Sequence, residues 1–324
     1  MKKLLSIVCA ATCLTLSAGQ AVAQAQAYPT KPIKIIVPFG PGGFTDVVAR
    51  ILGVKLGESL GQSIVIENKP GAGSMIGTDQ VAKSAPDGHT LLIVSSTHVI
   101  SPWIYKNVPY DPIKSFTPVT KLVDSPYVLL TNPKVPAKNV QEFIALAKAQ
   151  PDKIHYASSG NGSAQHLIGG LFASMTKTQL KHVPYRSSNL ASTDVVAGVV
   201  ESSFAGVPNA LSQVPNGRLN ALAVTGSKRI PQLPNVPTMQ EAGVPGYDAT
   251  IWLALLAPAG TPPHIVNKLN TEIAKIMNTT ETNKAMFEAG VEVSLSTPEA
   301  LTQLMTSEMS KWGKVVKDAG IKLE

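Results

Sequence analysis

One stretch near the start of the chain constrains the fold most: an apolar run, a cluster of glycine and proline, and a periodic apolar segment. Ile33–Val37 is rich in β-branched residues and predicts a buried strand. The Gly40–Gly43 cluster ends that strand, and apolar residues recur at helical spacing from Val47 onward. Thr45 or Asp46 is expected to cap the helix by accepting from its free first-turn N–H groups. The stretch therefore predicts an α/β unit.

The turn between this strand and this helix is a candidate anion site. Free backbone N–H groups and the positive end of the helix dipole converge there, and glycine lets a ligand approach the backbone closely. No Lys-Ser/Thr pair follows the glycines, and their spacing does not fit a dinucleotide fingerprint. A small anion, most commonly a carboxylate, therefore fits better than a nucleotide. The alternative interpretation is a tight connection without a ligand.

A second turn of the same kind lies in the other half of the chain. Ile154–Ala157 predicts a strand, residues 158–163 are small, and Ala164–Met175 predicts a helix that Ser163 is expected to cap. Each half thus carries one strand, one small-residue turn and one helix N-terminus. Two such turns facing each other across a cleft would hold an anion from both sides.

Two further segments follow predicted strands and are candidate walls of the same pocket. Ser96, Thr97 and His98 come after the apolar strand 89–95, and the segment 185–189 comes after the strand 179–184. In open α/β sheets, ligands sit outside the carboxyl ends of the strands. Residues 102–118 are proline-rich and predict a loop-rich connector.

The first 27 residues predict a secretory signal peptide: two lysines, an apolar run, and alanines at small-residue cleavage positions. Cys9 and Cys13 both lie inside it, so the mature chain is expected to have no disulfide and no thiol chemistry. No other apolar stretch approaches the ~20 residues needed to span a bilayer. We expect an exported protein, most simply in a bacterial periplasm.

The remaining chain is long enough for two domains of roughly 100–200 residues each. The formal net charge of +7 falls to +5 without Lys2 and Lys3. The other lysines are scattered singly, without a basic run or a series of stacked aromatic residues. This pattern excludes nucleic acid as the expected partner.

Ordered motifs along the whole mature chain resemble the solute receptors of tripartite tricarboxylate transporters, the Bug family of periplasmic binding proteins. The motifs that carry the resemblance are Tyr28-Pro29-x-Lys31-Pro32, Val37-Pro38-Phe39-x-Pro41-Gly42-Gly43-x-x-Asp46, Glu67-Asn68-Lys69-Pro70-Gly71-Ala72-Gly73, Pro86-Asp87-Gly88-x-Thr90, Pro184-Tyr185-Arg186 and Leu233-Pro234-x-Val236-Pro237-Thr238.

The resemblance implies a type II periplasmic binding protein fold, in which two α/β domains joined by two crossovers enclose a ligand cleft. Domain 1 would comprise residues 28–123 and 244–324, and domain 2 residues 124–243. It also implies that a small carboxylate binds at the two turns, largely through backbone N–H groups and ordered water.

Carried over, the resemblance places one set of ligand-binding residues on the first wall: Phe39, Pro41, Gly42, Gly43, Phe44, Thr45 and Asp46. The other wall would hold Ser158, Gly160, Asn161, Gly162, Ser163 and His166. Candidates that complete the pocket are Ser96, Thr97, His98, Tyr185, Arg186, Ser188 and Gly206. Two departures from the family pattern lie beside the cleft and bear on ligand identity: Ser187 stands where Gly is usual, and strand 202–206 lacks an acidic end.

Several of these residues have a second interpretation. Asp46 either contacts an amine or hydroxyl of the ligand, or caps its helix and pairs with Arg50 at i,i+4. Phe44 either selects ligand shape or belongs to the core. Trp252 and Trp312 are interpreted as packing residues.

The same two interpretations apply to the polar candidates. His166 lies at the pocket edge or makes orienting hydrogen bonds, and His98 lines the pocket or is a satisfied loop histidine. Arg186 pairs with a ligand carboxylate or holds its turn at the surface.

Together these features predict a monomeric receptor that captures a small carboxylate and delivers it to a membrane permease. Presentation of the ligand to a membrane sensor kinase is an alternative. An exported hydrolase is disfavoured, because Gly160–Ala164 displaces its serine by one position from a Gly-x-Ser-x-Gly elbow. No His-x-x-x-His motif or cysteine cluster suggests a metal, and no cofactor is expected.

Overall fold

Ten strands and ten α-helices are distributed along residues 28–318, the part of the chain that the computed structural model describes. The predicted signal peptide lies outside these residues. From Lys31 onward the chain forms one compact unit. The strands are β1 Ile33–Val37, β2 Ile64–Asn68, β3 Thr90–Ser95, β4 Phe116–Thr131, β5 His155–Ser158, β6 Lys181–Pro184, β7 Ser202–Gly206, β8 Asn220–Val224, β9 Thr250–Pro258 and β10 Glu292–Val293.

The α-helices connect and cover these strands, and a short 3₁₀ turn spans Ala72–Ser74. They are α1 Phe44–Leu60, α2 Met75–Ala82, α3 Thr97–Ile104, α4 Val140–Ala149, α5 Ala164–Thr176, α6 Ser188–Ala197, α7 Val207–Gln213, α8 Pro263–Met277, α9 Thr280–Glu288 and α10 Pro298–Asp318.

The strands form two sheets that share one long strand. In the first, β1 pairs in parallel with β2 and β3, and β9 lies antiparallel between β3 and β4. In the second, β5 pairs in parallel with β6 and β7, while β7 and β8 are antiparallel to β4. Strand β4 pairs with β9 up to Pro126 and with β7 from Tyr127. The two α/β lobes therefore meet at β4, as expected of two domains joined by crossing segments.

The core is apolar on both faces of the sheets because helices cover both faces. Strand β9 is buried from Ile251 to Pro258. Val48, Leu52 and Leu56 of α1 are buried and the helix contacts α8, whereas Val47 is exposed. Trp252 and Trp312 are 2% and 0% exposed, so their interpretation as packing residues is confirmed.

The proline-rich segment after β3 is more regular than the sequence predicts. Helix α3 includes Pro102, which has no N–H for the carbonyl of His98; the hydroxyl of Ser101 donates to that carbonyl over 2.9 Å instead. Strand β4 includes Pro118, where the register with β9 shifts at an irregularity. The predicted connector at 102–118 is therefore wrong over α3 and the start of β4.

Candidate functional site

Turn 1, residues 38–43, ends in an N-cap glycine. Helix α1 begins at Phe44 with Gly43 as its N-cap, and no side chain caps it. Thr45 and Asp46 lie inside the first turn, so the prediction that one of them is the N-cap is wrong. A glycine at this position leaves the N–H groups of the first turn open instead of satisfying them.

The buried carboxylate of Asp46 stabilises turn 1 by accepting hydrogen bonds. Its carboxylate accepts from Gly42 N at 2.8 Å, Arg50 Nε at 2.9 Å and Asn68 Nδ2 at 2.9 Å, and the residue is 2% exposed. Burial alone would raise the pKa of the Asp46 carboxyl, but the hydrogen bonds from Arg50, Gly42 and Asn68 hold that pKa below its usual value. The pairing with Arg50 is present as the sequence predicts, and Asp46 is an internal acceptor of the turn.

The N–H groups at the start of α1 are available to a ligand. Those of Gly43, Phe44, Thr45 and Asp46 have no acceptor within residues 28–318, and the first helical bond is donated by Val47. Pro41, Gly42 and Gly43 are exposed, and the positive φ of Gly42, 75°, favours glycine. Phe39 and Phe44 are half-buried beside them. Four consecutive donors at a positive helix end suit one carboxylate.

Turn 2, residues 159–163, carries fewer free donors. Ser163 is the N-cap of α5 and accepts from His166 N at 3.3 Å, as predicted. Ser159 N donates to Gln165 Oε1 at 2.8 Å, Gly160 N to Ser158 Oγ at 3.1 Å, and Gly162 N to His166 Nδ1 at 3.1 Å. Side chains of Ser158, Gln165 and His166, which flank the turn, therefore occupy most of its backbone donors.

Three N–H groups remain without an acceptor at turn 2. They belong to Asn161, Ala164 and Gln165, judged within the described residues. Asn161 is exposed, whereas Gly160, Gly162 and His166 are half-buried. Turn 2 thus offers a weaker anion site than turn 1 in this arrangement.

A histidine that the sequence analysis missed supports turn 2. His182 on β6 stacks on His166 with ring centroids 3.8 Å apart and planes 5° apart, and its Nε2 is hydrogen-bonded to Ser158 Oγ. Burial, and then the charge of His166, lowers the pKa of His182 to about 3. The only sequence signal was its place on the predicted strand next to β5, where it pairs in register with Tyr156.

The two turns are linked through the end of α3. A Cβ at Gly162 would lie 3.0 Å from Ile104 Cγ2 and 3.6 Å from Tyr105 Oη. A Cβ at Gly73 would collide with the same tyrosine ring. The loop that contains Gly73 follows Asn68, whose Nδ2 donates to Phe39 O in turn 1 at 3.1 Å. Contacts therefore run from turn 1 through this loop and Tyr105 to turn 2.

The segment 96–98 differs from its predicted role. Ser96 is fully buried and Thr97 half-buried at the start of α3, and His98 is 2% exposed. His98 Nε2 donates to Pro112 O at 2.9 Å, and the ring packs against Tyr110 and Phe116. The prediction that His98 lines the pocket is wrong, because the segment is helical and turns the ring into the core. Its second interpretation, a satisfied loop histidine, holds only in part, because Nε2 is bonded but Nδ1 has no partner among the described residues and the residue lies in a helix.

The segment after β6 borders turn 2. Tyr185 N donates to Ser158 O at 2.9 Å, and its hydroxyl donates to Asp194 at 2.7 Å. Arg186 is exposed and has no hydrogen-bond or ion-pair partner among the described residues, so its guanidinium is free for an anion.

Ser187 caps α6 by accepting from Leu190 N at 3.3 Å. Ser188 is exposed at the start of that helix. Gly206 is half-buried and is the N-cap of α7. The serine that departs from the expected glycine therefore has a structural role as a cap.

Other functions find little support in these side chains. Ser158, the serine bonded to a histidine, is fully buried and also bonded to Gly160, so it does not present a nucleophile. No three His, Cys, Asp or Glu side chains of residues 28–318 are grouped to hold a metal ion. Over the same residues, no helix combines the length and apolar character that crossing a membrane requires.

Known proteins match this chain over most of its length. The family described as "Tripartite tricarboxylate transporter family receptor" matches residues 48–321. BugT of Bordetella pertussis is 38% identical over 302 residues, 93% of each chain. The structure of R. palustris Rpa4515 with adipate is 34% identical at a TM-score of 0.83, covering 92% of this chain and 100% of that one.

MatC of Rhodopseudomonas palustris with bound malate is 33% identical at a TM-score of 0.78, covering 89% of this chain and 100% of that one. Solved periplasmic binding proteins thus share the fold, and the predicted type II periplasmic class is confirmed. The relatives are receptors that bind solutes, not enzymes. By these matches the chain belongs to the receptor family of the tripartite tricarboxylate transporters.

Proposed function

We propose that this receptor captures a small dicarboxylate between turn 1 and turn 2 and delivers it to the membrane permease of a tripartite transporter. The observation that carries the proposal is the row of four open N–H groups from Gly43 to Asp46, at the positive end of a 17-residue helix. Burying a carboxylate is unfavourable unless hydrogen bonds replace its hydration, and these donors supply them.

Two carboxylates suit the two turns better than one. The related proteins with adipate and with malate each bind an acid with two carboxyl groups. In this chain, turn 1 would hold the first carboxylate. Arg186 and the remaining donors of turn 2 would hold the second, since a guanidinium presents a fork of donors that matches carboxylate oxygens.

Closure of the two lobes would complete the site. The division into residues 28–123 with 244–324 and residues 124–243 places a boundary within β4, the strand shared by the sheets. A hinge at β4 would bring turn 2 onto an acid already held by turn 1. Removal of residues 1–27 on export would give the mature periplasmic receptor, and the permease would recognise the closed form.

Thermal unfolding of residues 28–324 tests the ligand class. Adipate, malate, succinate and citrate are compared with uncharged diols of the same length. A ligand at a hundred times its dissociation constant stabilises the fold by about 2.7 kcal/mol, a visible shift. Stabilisation by at least one dicarboxylate and by no diol is the expected result. If no acid shifts the midpoint even after unfolding and refolding to remove any co-purified ligand, the proposal is wrong.

A pair of variants tests the position of the site. Gly43→Asp places a negative side chain among the open donors and is expected to abolish binding of the stabilising acid by calorimetry. Val54→Asp is the matched control: it adds the same charge to α1 at a residue that is 62% exposed and well beyond the first turn. Unchanged affinity in Gly43→Asp would exclude turn 1 as the carboxylate site.

A further inference from the structure

Turn 2 lies in direct contact with the lobe that carries turn 1. Turn 2 follows β5 of the second sheet, whereas Ile104 at the end of α3 and Tyr105 after it lie between β3 and β4 of the first sheet. A Cβ on Gly162 would lie 3.0 Å from Ile104 Cγ2, 3.2 Å from Ile104 Cδ1 and 3.6 Å from Tyr105 Oη. Ile104 is buried, so its side chain has little freedom to move away. The backbone of Gly162 therefore packs against the end of α3 with little room for a side chain.

The position of Tyr105 is set from the side of turn 1. A Cβ on Gly73 would overlap the hydroxyl group and the ring of Tyr105, so the absence of a side chain at Gly73 makes room for this ring. Gly73 lies in the 3₁₀ turn Ala72–Ser74, whose three residues have positive φ values of 46°, 61° and 78°. Residues other than glycine keep such a conformation only where the surrounding structure enforces it. The 3₁₀ turn therefore has a defined shape that fits the tyrosine ring.

The same 3₁₀ turn is connected to turn 1. Helix α2 follows it directly, and a Cβ on Gly77 in this helix would lie 2.8 Å from Lys69 O and 3.1 Å from Pro38 Cβ in turn 1. Lys69 N donates to Val37 O at 2.8 Å, at the end of β1. A series of close contacts thus runs from turn 1 to turn 2, and a glycine allows the close approach at each of three places.

We infer that Ile104 and Tyr105 are positioning residues for ligand capture. They hold turn 2 at a fixed distance from turn 1, so that one dicarboxylate reaches the donors of both turns. Close-packed contacts transmit position because protein interiors have low compressibility. A side chain at residue 162 would push turn 2 away from α3 and leave the open N–H groups of turn 1 unchanged. The inference rests on the proposed function, because it concerns the geometry of the same site.

Gly162 has a second reason to be glycine, and a matched control separates the two. Its φ is 70°, so a side chain strains the backbone whatever lies next to it. Gly217, in the second lobe between α7 and β8, has a φ of 66°, is exposed, and has no atom within 4 Å of the position of a Cβ. Alanine at Gly217 therefore reproduces the backbone strain without the contact to α3.

The first test needs no ligand. Cys9 and Cys13 are the only cysteines of the chain, so residues 28–324 contain none. A disulfide joins Cβ atoms about 3.8 Å apart, and a γ-carbon of Ile104 lies 3.0 Å from the Cβ position of residue 162. With oxidised glutathione, the pair Ile104→Cys and Gly162→Cys should lose its free thiols by cross-linking, whereas Ile104→Cys with Gly217→Cys should not. A pair that is folded by circular dichroism and does not cross-link overturns the contact.

The second test measures the affinity for adipate, malate, succinate and citrate by calorimetry. Overpacking a contact costs enough that Gly162→Ala should bind each acid of the unmodified protein about tenfold more weakly. Gly217→Ala should keep the affinity, although both variants should unfold at a lower temperature. Adding Ile104→Ala to Gly162→Ala removes both close carbons and should recover affinity. Such a recovery distinguishes the contact with α3 from backbone strain and from a direct collision of the new methyl group with the ligand.

The outcomes separate this positioning role from the proposed function. Equal affinities in Gly162→Ala and Gly217→Ala, or no recovery on adding Ile104→Ala, overturn the positioning role and leave the receptor function intact. If none of the four acids binds to the unmodified protein, the proposed function is wrong, and the positioning role falls with it.

Discussion

Asp46 accepts hydrogen bonds from Gly42, Arg50 and Asn68, and so connects the backbone of turn 1 to its helix and to the end of β2. Asparagine has the same size but no charge. Its NH₂ group cannot accept a hydrogen bond, so at least one of these three donors would lose its acceptor. We expect Asp46→Asn to lower the free energy of unfolding by about 2 kcal/mol at pH 7, the typical value of hydrogen bonds to a charged group. Urea unfolding of both proteins measures this difference in the free energy of unfolding.

The pH dependence of this variant has a definite sign. The pKa of Asp46 is lower in the folded protein than in the unfolded chain, so its stabilisation is present above about pH 4 and is lost as pH falls through the folded value. The difference between wild type and Asp46→Asn should therefore shrink towards pH 3. Asp152→Asn, at an exposed aspartate, serves as the control and should have little effect at either pH. An Asp46→Asn effect that is constant between pH 7 and pH 3 would contradict this role.

Sequence could locate turn residues better than it could locate buried polar ones. Ser163 was predicted as a cap and is one, and the cap predicted at Thr45 or Asp46 missed the N-cap Gly43 by only two or three residues, because capping depends on close neighbours along the chain. His98 was placed in the pocket and lies in the core, since Tyr110 and Phe116 enclose it. His182 was missed because its partners Ser158 and His166 come from elements distant in sequence.

At the scale of elements, the contact between α10 and α3 depends on Gly313. A Cβ there would lie 2.5 Å from Trp103, whose Nε1 donates to Met309 O in the same helix at 2.9 Å. Alanine at an interior helix position normally stabilises relative to glycine by about 1 kcal/mol. Here the overpacking should outweigh that gain, so that Gly313→Ala destabilises the fold by about 1–2 kcal/mol net. Thermal and urea unfolding report the change.

Trp103 provides the matching test of the cause. If the indole is what the new methyl group meets, Gly313→Ala should cost less in a Trp103→Phe background, and the double-mutant cycle should show coupling. Ser310→Ala, at an exposed position of the same helix, should change stability by less than about 0.5 kcal/mol. A stabilising Gly313→Ala would show that α10 has room at this contact.

Helices and strands were predicted correctly where the local sequence pattern determines them. They were not predicted where tertiary contacts determine them. Helix α5 spans Ala164–Thr176 where Ala164–Met175 was predicted, and α1 begins at Phe44, two or three residues before its predicted start. Helix α3 and the first half of β4 were predicted as a connector because of Pro102 and Pro118. A side-chain hydrogen bond and a register shift accommodate these prolines, and neither is visible in the sequence.

At the scale of the whole molecule, the family and the fold followed from ordered motifs, whereas the long-range connection between the two lobes did not. Strand β4 runs through both sheets, and α10 packs against α3 in one lobe and α5 in the other. These contacts join segments that are far apart in sequence, and no local sequence pattern predicts them. The predicted domain boundary at residue 124 falls inside β4. Because β4 is one unbroken strand, no break in the chain marks a boundary at that residue.

Acid stability is a property of the whole cooperative unit, and buried histidines should dominate it. His98 Nδ1 has no hydrogen-bond partner among the described residues, and burial lowers the pKa of His98 to about 4. The unfolded chain binds a proton at this residue below about pH 6.5, whereas the folded protein does not until pH 4. Stability is therefore complete above pH 6.5 and declines between pH 6.5 and pH 4, by roughly 3 kcal/mol for this group.

Urea unfolding from pH 7 to pH 4 tests whether His98 is responsible. His98→Gln keeps an N–H donor that can reach Pro112 O but does not titrate, so its stability should be lower at pH 7 and nearly flat down to pH 4. The exposed His264→Gln should retain the decline of the unmodified protein, because this replacement leaves the buried ring of His98 and its contacts unchanged. An equal decline in His98→Gln would assign the acid sensitivity to other groups, with His182 next to be replaced, since its pKa is lowered further still.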